Sequence, residues 1–182
     1  MTGDTPERAG AGEIRLAPIG AIRTPFRAGP GTPIQGPLSD GAPGTVVLRD
    51  EHAPGLRDVD GFSHLILIYQ FHRVAPAGAG EGELLQRPYL DDEKRGVFAI
   101  RSPRRPNPIG VTVVELVAVE GPRLRVRGVD MLDGTPLLDL KPYVPRFDCF
   151  PEAQSGWLAG RREDERVVTA DDRFHRSDGE GD

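Results

Sequence analysis

Three guanidinium groups crowd into one short stretch at Arg101, Arg104 and Arg105, and three prolines, Pro103, Pro106 and Pro108, brace it. Proline locks φ and removes a backbone donor, so the centre of VFAIRSPRRPNPIG (97–110) cannot be helix or inner strand. A stiff loop with clustered arginines is a preorganised cradle for an anionic or planar ligand, because the guanidinium fork matches carboxylate and phosphate and little ordering entropy remains to be lost. A second feature is Asp133-Gly134-Thr135-Pro136, inside GVDMLDGTPLLDLKPYV (128–144). Asp-Gly favours a tight turn, which can turn a carboxylate and main-chain N–H groups toward a polar cofactor. The third is His72-Arg73, where the most apolar run of the chain opens into a Gly-rich loop, a frequent place for ligand contacts.

Other chemistries lack their signatures. Gly78, Gly80 and Gly82 have neither the spacing nor the following helix of a dinucleotide fingerprint, and no P-loop or nucleophile elbow is present. His52, His64 and His72 are scattered, and Cys149 is the single cysteine, so no metal site and no internal disulfide is expected. A lone cysteine fits a reducing cytoplasm. The opening MTGDTPERAG has no apolar segment of the signal-peptide kind, and the longest apolar run, 65–69, is far too short to span a bilayer.

The elements that must hold these residues read as strands. Gly 23 and Pro 18 make up almost a quarter of the 182 residues, too many for a helical protein. Residues 1–12 read as a flexible leader. Residues 13–23 read as an edge or bulged strand, demoted by Pro18 and Gly20. A Gly/Pro loop, 26–44, precedes a short strand at 45–49, and 56–59 reads as a turn of helix. GFSHLILIYQFHR (61–73) is apolar on both faces, as a strand covered on both sides would be. Residues 97–101 and 110–119 read as strands flanking the proline loop. In 123–130, Leu124 and Val126 alternate with Arg123, Arg125 and Arg127; this arginine face is either simply solvated or part of an RNA phosphate track. A strand at 137–140, a helical cap at 150–157 and a loosely ordered charged tail at 161–182 complete the chain. Short strands between turns predict a barrel or sandwich in one domain, and nothing alternates strand with helix as a doubly wound fold would. The net charge of −5 speaks against a general nucleic-acid binder but leaves room for a local basic patch.

Several segments, in order, resemble the TsaA-like (TrmO-type) S-adenosylmethionine-dependent methyltransferases: Ile19-Gly20-Ala21-Ile22-Arg23-Thr24-Pro25, Gly61-Phe62-Ser63-His64-Leu65 with Phe71-His72, residues 96–110, and Asp133-Gly134-Thr135-Pro136 followed by Asp139-Leu140-Lys141-Pro142-Tyr143. They cover about 14–150. The resemblance implies a mainly β fold, a single β-barrel-like, non-Rossmann domain over 13–150 with short helices, followed by a cap and charged tail over 151–182. It implies a cytoplasmic homodimer that binds S-adenosylmethionine and methylates N6 of the threonylcarbamoyl-adenosine beside the anticodon of certain tRNAs. Cofactor contacts carried over by position are His72, Arg73, Arg101, Val111, Asp133, Gly134, Thr135 and Pro136. A family Pro-Arg-Gln stretch falls on Pro33, Ile34 and Gln35, with Ile34 in place of the arginine. Longer tRNA-acting members have a further domain after the barrel, where this chain has the charged stretch 159–182.

Methyl transfer from a sulfonium rests mainly on positioning and desolvation, and needs no cation near sulfur. The arginines therefore belong on the methionyl carboxylate or on substrate anions: Arg101 would hold one of these, with Asp133 accepting from hydroxyl or amino groups of the cofactor. Arg104, Arg105 and Asn107, with Lys141 and Tyr143, would line the substrate side. No general base stands out. Two alternatives stay open: the same fold methylating a small metabolite, marked by a closed neutral pocket, and a non-catalytic S-adenosylmethionine- or RNA-binding module.

Overall fold

The computed structural model describes residues 14–78, 80–159 and 168–174; the leader expected at 1–12 lies outside them. Six strands close into an antiparallel barrel in the order β1-β2-β7-β6-β3-β8. They are β1 (Gly20–Arg23), β2 (Pro43–Leu48), β3 (His64–Gln70), β6 (Ile109–Glu120), β7 (Arg123–Arg127) and β8 (Thr135–Pro142). A small hairpin, β4 (Leu85–Gln86) with β5 (Arg95–Gly96), follows the short helix α1 (Glu81–Leu84), and helix α2 (Pro145–Asp148) follows the barrel.

Period-2 alternation builds this barrel. Ile22, Val46, Leu65, Leu67, Leu124, Val126, Val114 and Leu137 point inward and are essentially inaccessible to solvent. Closure leaves the barrel itself with no open edge strand. Gly110 lies opposite Tyr69, whose ring occupies the space a Cβ would take.

Several expectations need correction. In 13–23 only Gly20–Arg23 pairs as a strand; Pro18 has no N–H to give, and Ile14 and Leu16 are exposed. β3 is not covered on both sides: Leu65, Leu67 and Tyr69 face the core, whereas Ile66 and Ile68 lie half-buried on the outer wall. Residues 97–101 are not a strand. Val97–Ala99 is a 3-10 turn, with Val97 and Ile100 buried three apart and Phe98 80% exposed. The helical cap is also displaced. Pro145 starts α2 at the position where its missing donor costs nothing, and 150–155 is irregular before a 3-10 turn at Gly156–Leu158. Trp157 Nε1 donates to the Ala99 carbonyl at 2.7 Å, docking this segment beside the proline loop.

The charged tail is tethered where it is described. Val168 and Ala170 carbonyls accept from Ile34 and Gly31 N–H, and Ala170 N–H donates to Thr32. Thr169 bridges Pro33 in antiparallel fashion, and Phe174 is buried edge-on against Tyr89. Backbone pairing and a buried ring, not net charge, decide the order here.

Candidate functional site

β1 ends, β3 ends and β8 begins on the same rim of the barrel, with Ile22 opposite Thr135 and Tyr69 opposite Leu137. His72 and Arg73 follow β3, and 133–136 leads into β8. The expected Asp-Gly turn is present: Gly134 has φ +77°, a left-handed value that suits glycine. Asp133 N–H donates to the Phe26 carbonyl at 2.7 Å and Gly134 N–H to that of Ile22 at 2.9 Å. The Asp133 carboxylate accepts from Thr24 N–H at 3.1 Å, pairs closely with the exposed Arg27 guanidinium and lies 3.8 Å from Arg23. Arg73 donates to the Arg27 carbonyl at 2.8 Å.

Thr135 Oγ1 donates to Leu132 O at 2.7 Å and lies 3.4 Å from His72 Nδ1. With the hydroxyl hydrogen committed to Leu132, the proton of neutral His72 belongs on Nδ1, leaving a lone pair on Nε2. Burial, then the charge of Arg73, holds the His72 imidazole below its usual range, so it is neutral at pH 7.

Arg101 forms the second group. Its Nη1 donates to Gln35 Oε1 at 2.9 Å, and the guanidinium is exposed. Gln35 Nε2 donates to the Ile34 carbonyl. Val111, 56% exposed, stands on the outer face of β6 opposite Ile68. The loop 24–42 runs from the first group to the second, touching Asp133 through Thr24, Phe26 and Arg27, and Arg101 through Gln35. An open groove of about 700 Å³ includes Asp133 and Arg27 among its walls, but not Arg101.

The three loop arginines do not act alike. Arg105 Nη1 donates to the Val97 and Ile100 carbonyls, the groups a strand there would have paired. Arg104 pairs with Glu83 at 2.5 Å, while its own carbonyl and Ser102 Oγ both bind the Gln86 amide. Both side chains hold the loop in shape, and Arg101 is the one left presented outward. Asn107 sits at the start of β6, its carbonyl accepting from Ile109 N–H, while Phe71 N–H bonds to Pro108 O. Lys141 and Tyr143 are not brought to this rim. Lys141 pairs with Asp139, and Tyr143 N–H bonds to His64 O at the opposite end of β3, roughly 20 Å along the strand at about 3.3 Å per residue.

A model of the tRNA-methyltransferase O N-terminal domain matches residues 21–149, which contain both groups. The chain belongs to this family. It is 51% identical over 145 residues to a Pyrococcus abyssi (strain GE5 / Orsay) protein named a probable S-adenosyl-L-methionine-binding protein, over 80% of this chain and 76% of that one. It is 35% identical over 143 residues to the Homo sapiens tRNA (adenine(37)-N6)-methyltransferase, covering 75% of this chain and 32% of the human protein. The crystal structure of TrmO from Pseudomonas aeruginosa superposes with a TM-score of 0.65 at 36% identity, over 79% of this chain and 62% of that one. The chain thus spans less than two thirds of the solved TrmO and about a third of the human relative.

Within this family member, two features escaped the sequence reading. Arg27 is Asp133's closest partner. Asp130 is half-buried beside the Gln35 segment, accepting from Thr112 Oγ1 at 2.7 Å, from Tyr69 OH at 3.4 Å and from Gly36 N–H. Burial raises its carboxyl to about 6. The signal lay in Tyr69 and Thr112, two hydroxyls at inward positions of otherwise apolar strands, which call for a buried polar partner. Among the described residues no group of three or more His, Cys, Asp or Glu could hold a metal, and no helix is long and apolar enough to cross a membrane.

Proposed function

We propose that this protein is an S-adenosylmethionine-dependent methyltransferase acting on N6 of the threonylcarbamoyl-adenosine beside the anticodon of tRNA in the cytoplasm. The observation that carries the reading is the loop 24–42, which ties the Asp133 carboxylate and the exposed Arg101 guanidinium into one rim of a TrmO-family barrel. The donor set suits the cofactor: a cation for a carboxylate, an anion for hydroxyl or amino groups, and a neutral imidazole between strand ends.

S-adenosylmethionine, when bound, would supply a sulfonium methyl group for in-line displacement by N6, the N–C bond forming as the S–C bond breaks, S-adenosylhomocysteine leaving and the N6 proton passing to water, so the protein's part is positioning and desolvation. Arg101, oriented by Gln35, holds the methionyl carboxylate. Asp133 exchanges its Arg27 contact for hydroxyl or amino groups of the cofactor, and Gly134, Thr135, Pro136, Pro33, Ile34 and Val111 supply its walls. His72 and Arg73 close the end of β3 and would border the bound cofactor there, neutral His72 adding no charge of its own. Asn107, on the loop that Arg104 and Arg105 stiffen, faces the acceptor side. The domain over 13–150 carries this chemistry.

The active form is a homodimer. Val111, Val113 and Ile109 expose apolar surface on the outer wall of β6, beside half-buried Ile66 and Ile68 of β3, and a symmetric partner is what such a wall fits. A two-fold axis across mid-strand turns the Lys141 and Tyr143 end of one copy toward the His72 end of the other, where they would reach substrate. Incubation with methyl-labelled S-adenosylmethionine and bulk tRNA tests the activity. Label in tRNA is the expected result; label confined to small molecules, or binding without transfer, refutes it.

A further inference from the structure

The outer face of β1, β2 and β7 adjoins the Asp133 group through Arg23 and carries the densest positive charge of the barrel wall. Because Leu124 and Val126 fill the core, Arg123, Arg125 and Arg127 all face outward from one strand. Register aligns Arg23 with Thr45 and Thr45 with Arg125, a straight row across three strands. Arg23, Arg27, Arg125 and Arg127 line the open groove of about 700 Å³ whose wall includes Asp133.

The acidic side chains nearby do not cancel this row. Glu120 binds Arg125 Nε at 2.9 Å, Glu115 lies opposite Arg127 in the β6–β7 register, and Asp133 is held by Arg27. Five guanidiniums thus meet three carboxylates, a local positive excess on a chain whose net charge is −5. Arg23, Arg123, Arg125 and Arg127 stand on paired strands and Arg27 on the adjoining loop, so for four of the five little backbone order has to be created on binding. The groove is open; beside its arginines it is bordered by Thr24 and Thr45 and by Pro25, Pro43, Val117 and Val126, with no aromatic platform on which to stack a base. That chemistry recognises a repeating anionic backbone and not a base or a small apolar ligand.

We propose that this arginine face binds the phosphate backbone of the RNA substrate, steering it along the groove to the Asp133 rim. The inference rests on the tRNA reading above. Arg123, Arg125 and Arg127 contact phosphate without touching the cofactor, so their contribution is to RNA affinity and to its salt dependence.

The experiment compares wild type with Arg123→Gln/Arg125→Gln/Arg127→Gln, measuring bulk tRNA affinity across a salt series and S-adenosylmethionine affinity by calorimetry. The expected result is a roughly 10- to 100-fold loss of tRNA affinity near 0.15 M salt and a shallower log K against log salt by about 2 to 3, with cofactor affinity unchanged. Wild-type tRNA affinity and slope in the triple variant would overturn the inference and leave the methyltransferase reading standing. Polyglutamate bound as tightly as tRNA would overturn the assignment to RNA. Absence of tRNA binding by wild type at low salt would overturn the tRNA reading itself, and the inference with it. Should the triple variant fold poorly, Arg125→Gln alone is read by the salt slope, which falls by about one.

Discussion

Arg101 donates to Gln35 Oε1 at 2.9 Å, across 66 residues of sequence. The bond joins the proline-braced loop to the loop 24–42, whose other end holds Asp133 through Thr24 and Arg27. It fixes the outward guanidinium relative to the Asp-Gly turn without either side chain touching the other.

Arg101→Ala removes the proposed carboxylate anchor. Calorimetry is expected to show S-adenosylmethionine affinity falling by about 2–4 kcal/mol, the cost of losing a bidentate charged contact. Unchanged binding would place the carboxylate elsewhere. Gln35→Ala leaves the charge but frees its orientation, and a smaller loss is expected.

Asp130 makes stability fall as pH rises. Its folded carboxyl titrates at about 6, above its ordinary value of 3.8, so between these the folded state binds more protons than the unfolded one. The stabilisation is complete below about 4 and is lost as pH rises through 6. Two units correspond to roughly 3 kcal/mol at most. Urea unfolding from pH 4 to 7 is expected to show this slope in wild type and its absence in Asp130→Asn, whose amide still accepts from Gly36 and Thr112. Parallel curves would show that Asp130 does not titrate there.

Gly110→Ala places a methyl group where the Tyr69 ring sits. The ring must tilt, loosening its contacts with Thr112 and Asp130, and overpacking of this kind costs about 1–3 kcal/mol. A melting temperature lowered by several degrees is expected; an unchanged one would mean the ring yields freely.

Phe174→Ala removes the buried anchor that ends the 168–174 tether. The backbone bonds of Gly31, Thr32 and Ile34 to that segment are expected to weaken. Hydrogen exchange at Ile34 N–H is expected to speed up relative to the barrel strands, with S-adenosylmethionine affinity reduced. Unaltered exchange would show that the tether holds without its aromatic end.

The barrel was legible in alternation: Leu124 and Val126 against their arginines, and the apolar run around Leu67, announce strands from side-chain period alone. What misled was composition without spacing. Val97 and Ile100 sit three apart, which is a helical interval, and a β-like apolar run hid it. In the candidate site, the Asp-Gly turn and the end of β3 before His72 were legible, because turns and strand ends leave local marks. The partners were not legible. Arg27 reaches Asp133, Gln35 reaches Arg101 and Arg105 reaches back to Val97 through pairings that closure of the barrel creates, and no local pattern encodes them. Nor does sequence separate an arginine that braces a loop from one that is presented outward, since Arg104 and Arg105 are the same residue type as Arg101, three and four positions away.

The most direct test is a structure of the protein with S-adenosylhomocysteine bound. The amino-acid carboxylate is expected on Arg101 and the nucleoside along 133–136, with Asp133 released from Arg27. A ligand seated elsewhere, with Arg101 still bound only to Gln35 and Asp133 still paired with Arg27, would contradict the proposed site.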